Sequence, residues 1–334
     1  MCNENICNIS LSETCDFFRN NDNFLILTHS NPDGDTLGSA FALLMILQKT
    51  GKKASVICGD AIPEKYNYFT KNCENNADEG ENTVVAVDVA DAKLLGKLEE
   101  KYGSLVELCI DHHFSNRGYA KKTFVNGNAA ANCECIYEIA KEMQIEIDKN
   151  MALALYTGLS TDTGCFRYSN TTSKTLRIAA DLLDVGIDAA EINRIMFETK
   201  NRTRVELERL ALDGMEFYFD GKCAVITVTR SMYESTGCAD EDLEGLTSIP
   251  RMVEGVLAGV TIRAKKDGGY KISVRTYAPA DASQICKRLG GGGHIRAAGC
   301  QVGSEFTVEQ AKAKILESVK IELEESRAGT VTDR

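Results

Sequence analysis

Hydrophobic and polar positions alternate along this chain in blocks of two kinds. Residues 24–30 form an apolar run ending in a loop, and 36–50 carry apolar residues at helical spacing (Leu37, Ala40, Phe41, Leu44, Leu47) until Gly51 stops the helix. "KASVICGD" (53–60), "TVVAVDVA" (83–90), "LVELCIDHH" (105–113) and "KKTFV" (121–125) read as further strands, and about 130–143, 149–162 and 172–185 as helices. Strands that are nearly continuous in apolar residues and alternate with helices predict a parallel sheet covered on both faces. Residues 188–213 read as one long polar helix, a connector.

The texture then changes. "EFYFDGKCAVITVTR" (216–230) predicts a hairpin turning at Asp220-Gly221, and 259–278 a second one turning at Asp267-Gly268-Gly269. A helix over about 307–325 closes a smaller α+β domain, and 327–334 read as a frayed tail. The expected division is 1–190, a helical linker 191–213, and 214–326.

Composition narrows the function. A length of 334 residues suits two domains, and no run of about 18 apolar residues offers a membrane span. The N-terminus lacks the basic start and apolar core of a signal peptide, so the cytoplasm is the expected location. Thirteen cysteines without a CxxC pair read as buried thiols in a reducing compartment, not as a zinc cluster. The net charge of −11 argues against a long duplex as partner, while leaving room for a short anionic substrate.

The chain has only four histidines: His29, His112, His113 and His294. Three lie beside aspartates at strand ends, where ligands of parallel sheets bind. "THSNPDGD" holds His29, Asp33 and Asp35; "VDVAD" holds Asp88; "IDHH" holds Asp111, His112 and His113; and "GLSTDTG" holds Asp162 where a helix gives way to a loop. Imidazole and carboxylate without sulfur suit Mn²⁺, Zn²⁺ or Fe²⁺. Six of these, His29, Asp33, Asp35, Asp88, His112 and Asp162, suit two ions sharing a carboxylate, an arrangement that activates water and clamps a phosphoryl oxygen. A plainer reading makes Asp35 or Thr36 a helix N-cap.

These motifs, in this order, resemble the four motifs of the DHH phosphoesterase superfamily. "GGGGHIRAAG" (290–299) resembles the signature of the DHHA1 domain that often follows. The resemblance implies an N-terminal DHH domain with a parallel sheet flanked by helices, a smaller C-terminal α+β DHHA1 domain, and an active-site cleft between them. Length and layout resemble the stand-alone nanoRNase/pAp-phosphatase (NrnA-like) branch. This implies short RNA oligonucleotides and 3′-phosphoadenosine 5′-phosphate (pAp) as substrates and two Mn²⁺ ions as cofactors. Carried over by motif, His29, Asp33 and Asp88 hold one ion; Asp35, Asp88, His112 and Asp162 hold the other. Asp111 orients a neighbouring histidine, and His113 faces the scissile phosphate.

From Ile262 to Cys300 there are eight basic residues and two acidic, a net +6 in an acidic chain. Arg275 in "SVRT", where the family strand has S-x-R-S, together with Gly291, Gly292, Gly293, His294 and Arg296, is expected to bind substrate phosphate. A glycine run is otherwise a flexible loop. Competing readings are a cyclic-di-AMP or pApA phosphodiesterase on the same scaffold and a non-catalytic nucleotide-binding module. No membrane partner is expected, and a homodimer stays open.

Overall fold

The protein is described by a computed structural model covering residues 7–71, 73–75, 82–238 and 245–331, with side chains to 326. The chain forms two compact units, Met1–Thr199 and Lys200–Arg334.

In the first unit β1 (Phe24–Leu27), β2 (Ala54–Ile57), β3 (Thr83–Val87), β4 (Leu108–Asp111) and β5 (Lys122–Val125) form a wholly parallel sheet, in the order β2-β1-β3-β4-β5. The order reverses between β1 and β3, and a crevice opens at the carboxyl ends of strands at such a point. The helices are α1 (Leu11–Asn20), α2 (Gly34–Lys49), α3 (Asn67–Thr70), α4 (Glu99–Tyr102), α5 (Asn132–Glu142), α6 (Lys149–Asp162), α7 (Ser173–Asp184) and α8 (Ala189–Asn193). Strand side chains alternate between two cores. Ile26, Val85, Val87 and Ile110 meet α1, α2, α5, α6 and α7. Leu25, Leu27, Val84 and Ala86 meet Leu95 and Val106, so this face is covered by 3₁₀ turns rather than by long helices. Helix α1 was not read from the sequence, although its capping box, Ser10 with Glu13, is a legible start signal.

The expected helix over 188–213 is broken. A π segment, Arg194–Glu198, follows α8, and Thr199 is extended before α9 (Arg202–Asp213) begins with Asn201 as its N-cap. The asparagine side chain competes for backbone N–H groups and favours a new start over continuation.

The second unit has β6 (Glu216–Tyr218), β7 (Cys223–Val228), β8 (Ala258–Ala264), β9 (Tyr270–Thr276), β10 (Gly292–His294) and β11 (Ala297–Val302), in the order β10-β11-β9-β8-β7-β6. All neighbours are antiparallel except β7 and β8. Its helices are α9, α10 (Arg230–Thr236), α11 (Ala282–Lys287) and α12 (Val308–Val331). Both expected hairpins form; Phe219, Asp220 and Gly221 all take positive φ at the first turn. The glycine run, expected to bind phosphate or otherwise to form a flexible loop, enters edge strand β10. Helix α12 extends to Val331, into the expected tail; Thr332–Arg334 lie outside the described residues. The described cysteines are free thiols, most of them buried. No helix among the described residues is long and apolar enough to cross a membrane.

Candidate metal centre

Three donor sets, one of them Asp88, His112 and His113, form at the carboxyl end of the parallel sheet, grouped around two imidazoles, His29 and His112. His29 stands just beyond β1. Its Nδ1 lies 2.8 Å from the Ser30 carbonyl, so a proton there leaves the Nε2 lone pair outward. That Nε2 is 3.6 Å from Asp33 Oδ1 and 3.7 Å from Asp88 Oδ2. The N-cap of α2 is Asp33, not Asp35 or Thr36: its Oδ1 accepts from the backbone N–H of Asp35 (3.0 Å) and of Thr36 (3.1 Å). One residue thus caps the helix and faces the histidine.

The second group is built on β4, α2 and α6. His112 Nδ1 is 3.2 Å from the Ala129 carbonyl. Its Nε2 faces Asp88 Oδ1 (3.5 Å), Asp35 Oδ2 (3.7 Å) and Asp162 Oδ2 (3.7 Å). Asp35 is buried at the start of α2. Its Oδ2 accepts from Asn132 N–H (2.6 Å) and its Oδ1 from Cys133 N–H (2.9 Å). These are first-turn N–H groups of α5, which have no partner within their own helix. The approach depends on Gly158 of α6, where a Cβ would fall 2.2 Å from Cys133 Sγ and 2.7 Å from Asp35 Oδ1.

Asp88 belongs to both groups, presenting Oδ2 to one and Oδ1 to the other. Its N–H donates to the Ile110 carbonyl (2.9 Å), and its φ of 60° ends β3 there. That conformation costs a non-glycine residue about 1 kcal/mol or more. Asp88 Oδ1 is buried and has no hydrogen-bond partner. Histidine-to-carboxylate separations of 3.5–3.7 Å are too long for hydrogen bonds. They are close to the spacing of about 3.0–3.5 Å between two donors that each sit about 2.1 Å from one ion. The donors of the His29, Asp33, Asp88 set lie within 4.8 Å of one another, as do those of the Asp35, His112, Asp162 set. The geometry and the orphaned oxygen fit divalent cations.

Electrostatics agree. Burial, then the Asp35 and Asp33 charges, raises the carboxyls of Asp88 and Asp162 well above the usual range. Burial alone would lower His29, but the facing Asp33 carboxylate outweighs it and raises the imidazole. A cation among these carboxylates would offset the neighbouring negative charges that add to burial in raising them.

His113 is held differently. Asp111, fully buried, accepts at Oδ1 from the backbone N–H groups of His112 (2.8 Å) and His113 (3.2 Å), and lies 2.7 Å from His113 Nδ1. Its Oδ2 accepts from Asn116 Nδ2 (2.6 Å). His113 Nδ1 also lies 3.5 Å from Asp88, yet Asp111 holds it closer. Sequence reading missed Asn116, the Ser30 and Ala129 carbonyls, the α5 amides and Gly158. The roles of the Ala129 carbonyl, the α5 amides and Gly158 depend on neighbours distant in the chain; Ser30 adjoins His29, and Asn116 lies three residues beyond His113.

In the second unit, Arg275 on β9 pairs with Ala297 on β11, which pairs with His294 on β10. Cross-strand partners share a face, so Arg275 and His294 stand in one row. It lies opposite the row of buried Val274 and Ala298. Arg275 also donates to the Val274 carbonyl (3.1 Å), and Arg296 to that of Ala280 (2.7 Å). Thr276 is buried, its hydroxyl donating to the Ile295 carbonyl (2.9 Å). The Gly291 N–H donates to the Cys286 carbonyl (2.9 Å). A Cβ at Gly291 would fall 2.3 Å from the Gly299 carbonyl oxygen, and Gly293 takes φ 144°. Gly292 and His294 are exposed.

Residues 23–159 match the family model described as the DHH family, N-terminal domain, and residues 220–325 match the DHHA1 domain. A bifunctional oligoribonuclease and PAP phosphatase NrnA from Thermus thermophilus is 33% identical over 311 residues, spanning 91% of this chain and 90% of its own. The protein of the same name from Bacillus subtilis is 26% identical over 289 residues, spanning 85% and 90%. The crystal structure of an exopolyphosphatase-related protein from Bacteroides fragilis has a TM-score of 0.85 at 24% identity, covering 93% of this chain and 95% of that one, and so shares the fold. With both domain models matched in order and one-third identity sustained over nearly the whole Thermus protein, this chain belongs to the DHH family of phosphoesterases and is a hydrolase carrying a DHHA1 domain.

Proposed function

We propose that this enzyme degrades short RNA oligonucleotides to mononucleotides and dephosphorylates pAp. The observation that carries the reading is Asp88, whose two carboxylate oxygens face two separate donor sets. His29, Asp33 and Asp88 would hold one divalent cation and Asp35, Asp88, His112 and Asp162 the other; Mn²⁺ suits this mixed nitrogen and oxygen set. Such a pair supplies an activated water and neutralises charge on the phosphoryl oxygens. Asp111 fixes the proton of His113 on Nδ1, so that Nε2 serves the phosphate or the leaving oxygen. Arg275 on β9, His294 on β10 and Arg296 in the turn between β10 and β11, together with Gly291, Gly292 and Gly293, hold a second phosphate of the substrate. The names of the Thermus and Bacillus relatives support a nucleotide substrate of this kind.

The test is product analysis with Mn²⁺ on labelled RNA of two to five nucleotides, beside pAp, pApA and cyclic di-AMP. Mononucleotides from the RNA series and AMP from pAp are expected. Turnover confined to cyclic di-AMP and pApA would replace this reading with the cyclic-dinucleotide one, and binding without turnover of any substrate would make the chain a nucleotide-binding module.

A further inference from the structure

Phe114 directly follows His113 and is 82% exposed, the highest value among the exposed large hydrophobics of the described residues. A single exposed apolar side chain is ordinary on a protein surface. Phe114 is distinguished by its seat and its position. Three ring carbons lie where a side chain at Gly127 would stand: a Cβ there would fall 2.4 Å from Cε1, 2.6 Å from Cδ1 and 2.8 Å from Cζ. Gly127 belongs to the segment leaving β5. That segment is tied to the end of β4 through the Asn126 N–H, which donates to the Asp111 carbonyl (3.0 Å). The ring is therefore mounted on the frame that carries Asp111 and His113, with one edge backed by glycine and the rest in water. Among the described residues, no apolar cluster of the first unit includes it.

We propose that Phe114 is a stacking platform for a nucleobase of the substrate, holding the base while His113 faces the adjoining phosphate. The inference rests on the nucleotide reading above. A flat apolar ring matches the π-face of any base, is tolerant of sequence, and gains most when both surfaces leave water. It adds no charge to a site already crowded with carboxylates. This would give an acidic protein a hold on the substrate that does not depend on phosphate attraction.

The experiment compares wild type, Phe114→Ala, Phe114→Leu and Phe114→Trp on a 5′-phosphorylated RNA dinucleotide. It includes two abasic analogues, each lacking the base at one end. Alanine and leucine are both expected to lower kcat/KM on the full dinucleotide by roughly 5- to 150-fold, chiefly through KM, with tryptophan restoring it. The loss should vanish on one of the two abasic analogues, the one without the stacked base. Thermal midpoint and metal content should match wild type throughout, since an exposed ring contributes little to the fold. Wild-type behaviour of Phe114→Leu, failure of tryptophan to restore activity, or equal losses on all three substrates overturns the stacking role. A wild-type enzyme inactive on every dinucleotide overturns the nucleotide reading and the stacking role with it.

Discussion

Asp111 Oδ1 lies 2.7 Å from His113 Nδ1, and this contact separates the tasks of two adjacent imidazoles. His112 spends its Nδ1 on the Ala129 carbonyl and turns Nε2 toward three carboxylates. His112→Ala is therefore expected to lower occupancy of one metal position. His113→Ala should keep the metals and slow turnover by roughly 10²–10⁴-fold. Metal analysis beside single-turnover rates decides the matter, and equal metal loss in both variants contradicts the division.

Asp88→Asn should reduce bound metal from two ions to at most one and abolish turnover on every substrate, because one carboxylate serves both donor sets. Chelation of the wild type should do the same, with Mn²⁺ restoring activity. Two ions retained with near-normal turnover would remove Asp88 from the bridging role.

Stability should depend on pH in opposite senses with and without metal. The carboxyls of Asp88 and Asp162 are raised, by burial first and by neighbouring aspartates second. A group with a folded-state pKa above its unfolded value keeps extra protons in the folded chain, so stability falls as pH rises through that interval. The interval opens near the ordinary carboxyl value of about 4. His29 is raised too, the pull of Asp33 outweighing burial, so its contribution is present below about 6.5 and lost above its folded value. Asp33 and Asp111 are lowered despite burial, by His29 and His113 respectively. Their contributions are present above about 4 and lost as pH falls below it. The metal-free thermal midpoint should therefore fall as pH rises from about 4 through the raised folded-state values of Asp88, Asp162 and His29. With excess Mn²⁺ it should rise, because only deprotonated ligands bind the ion. Calorimetry at several pH values checks both slopes; a rising metal-free midpoint contradicts the raised carboxyls.

Gly158→Ala should damage fold and metal site together. The added carbon would overlap Cys133 Sγ and crowd Asp35, where α2, α5 and α6 meet. Overpacking of this kind costs about 1–3 kcal/mol. Metal affinity should fall with stability, and a variant that is destabilised but binds metal normally would show Asp35 to be independent of this packing.

Arg275→Ala should lower kcat/KM on RNA dinucleotides and pAp by roughly 10- to 150-fold, the value of a charged hydrogen bond worth about 1.5–3 kcal/mol. Hydrolysis of bis(p-nitrophenyl) phosphate, which has no second phosphate, should change by only a few-fold, and metal content should stay constant. A uniform loss on all substrates would place Arg275 in the chemistry or the fold rather than in phosphate recognition.

Order and type of most elements were legible because apolar runs and helical spacing act over a few residues. The five parallel strands lie where the apolar blocks stand, and the Asp-Gly turn of the first hairpin is where the sequence sets it. The candidate donors that the structure brings together were legible too, because aspartate and histidine at strand ends are conspicuous against apolar strands. What the sequence determined by itself was this local grammar and the inventory of donors.

Only the tertiary structure decided how the donors meet. Asp33 rather than Asp35 became the helix cap, because the chain enters α2 one turn earlier than the apolar pattern begins. The left-handed turn at Asp88 and the docking of α5 on Asp35 fix which oxygen faces which imidazole. The break at Thr199–Asn201 and the β10–β11 hairpin escaped the sequence pattern for a related reason. A glycine run carries no hydrophobic signal, and its strand exists only through pairing with β11. Periodicity reports which face of an element seeks the core; hydrogen bonds between residues about a hundred positions apart, such as Asp35 with Cys133, are set only when the elements pack.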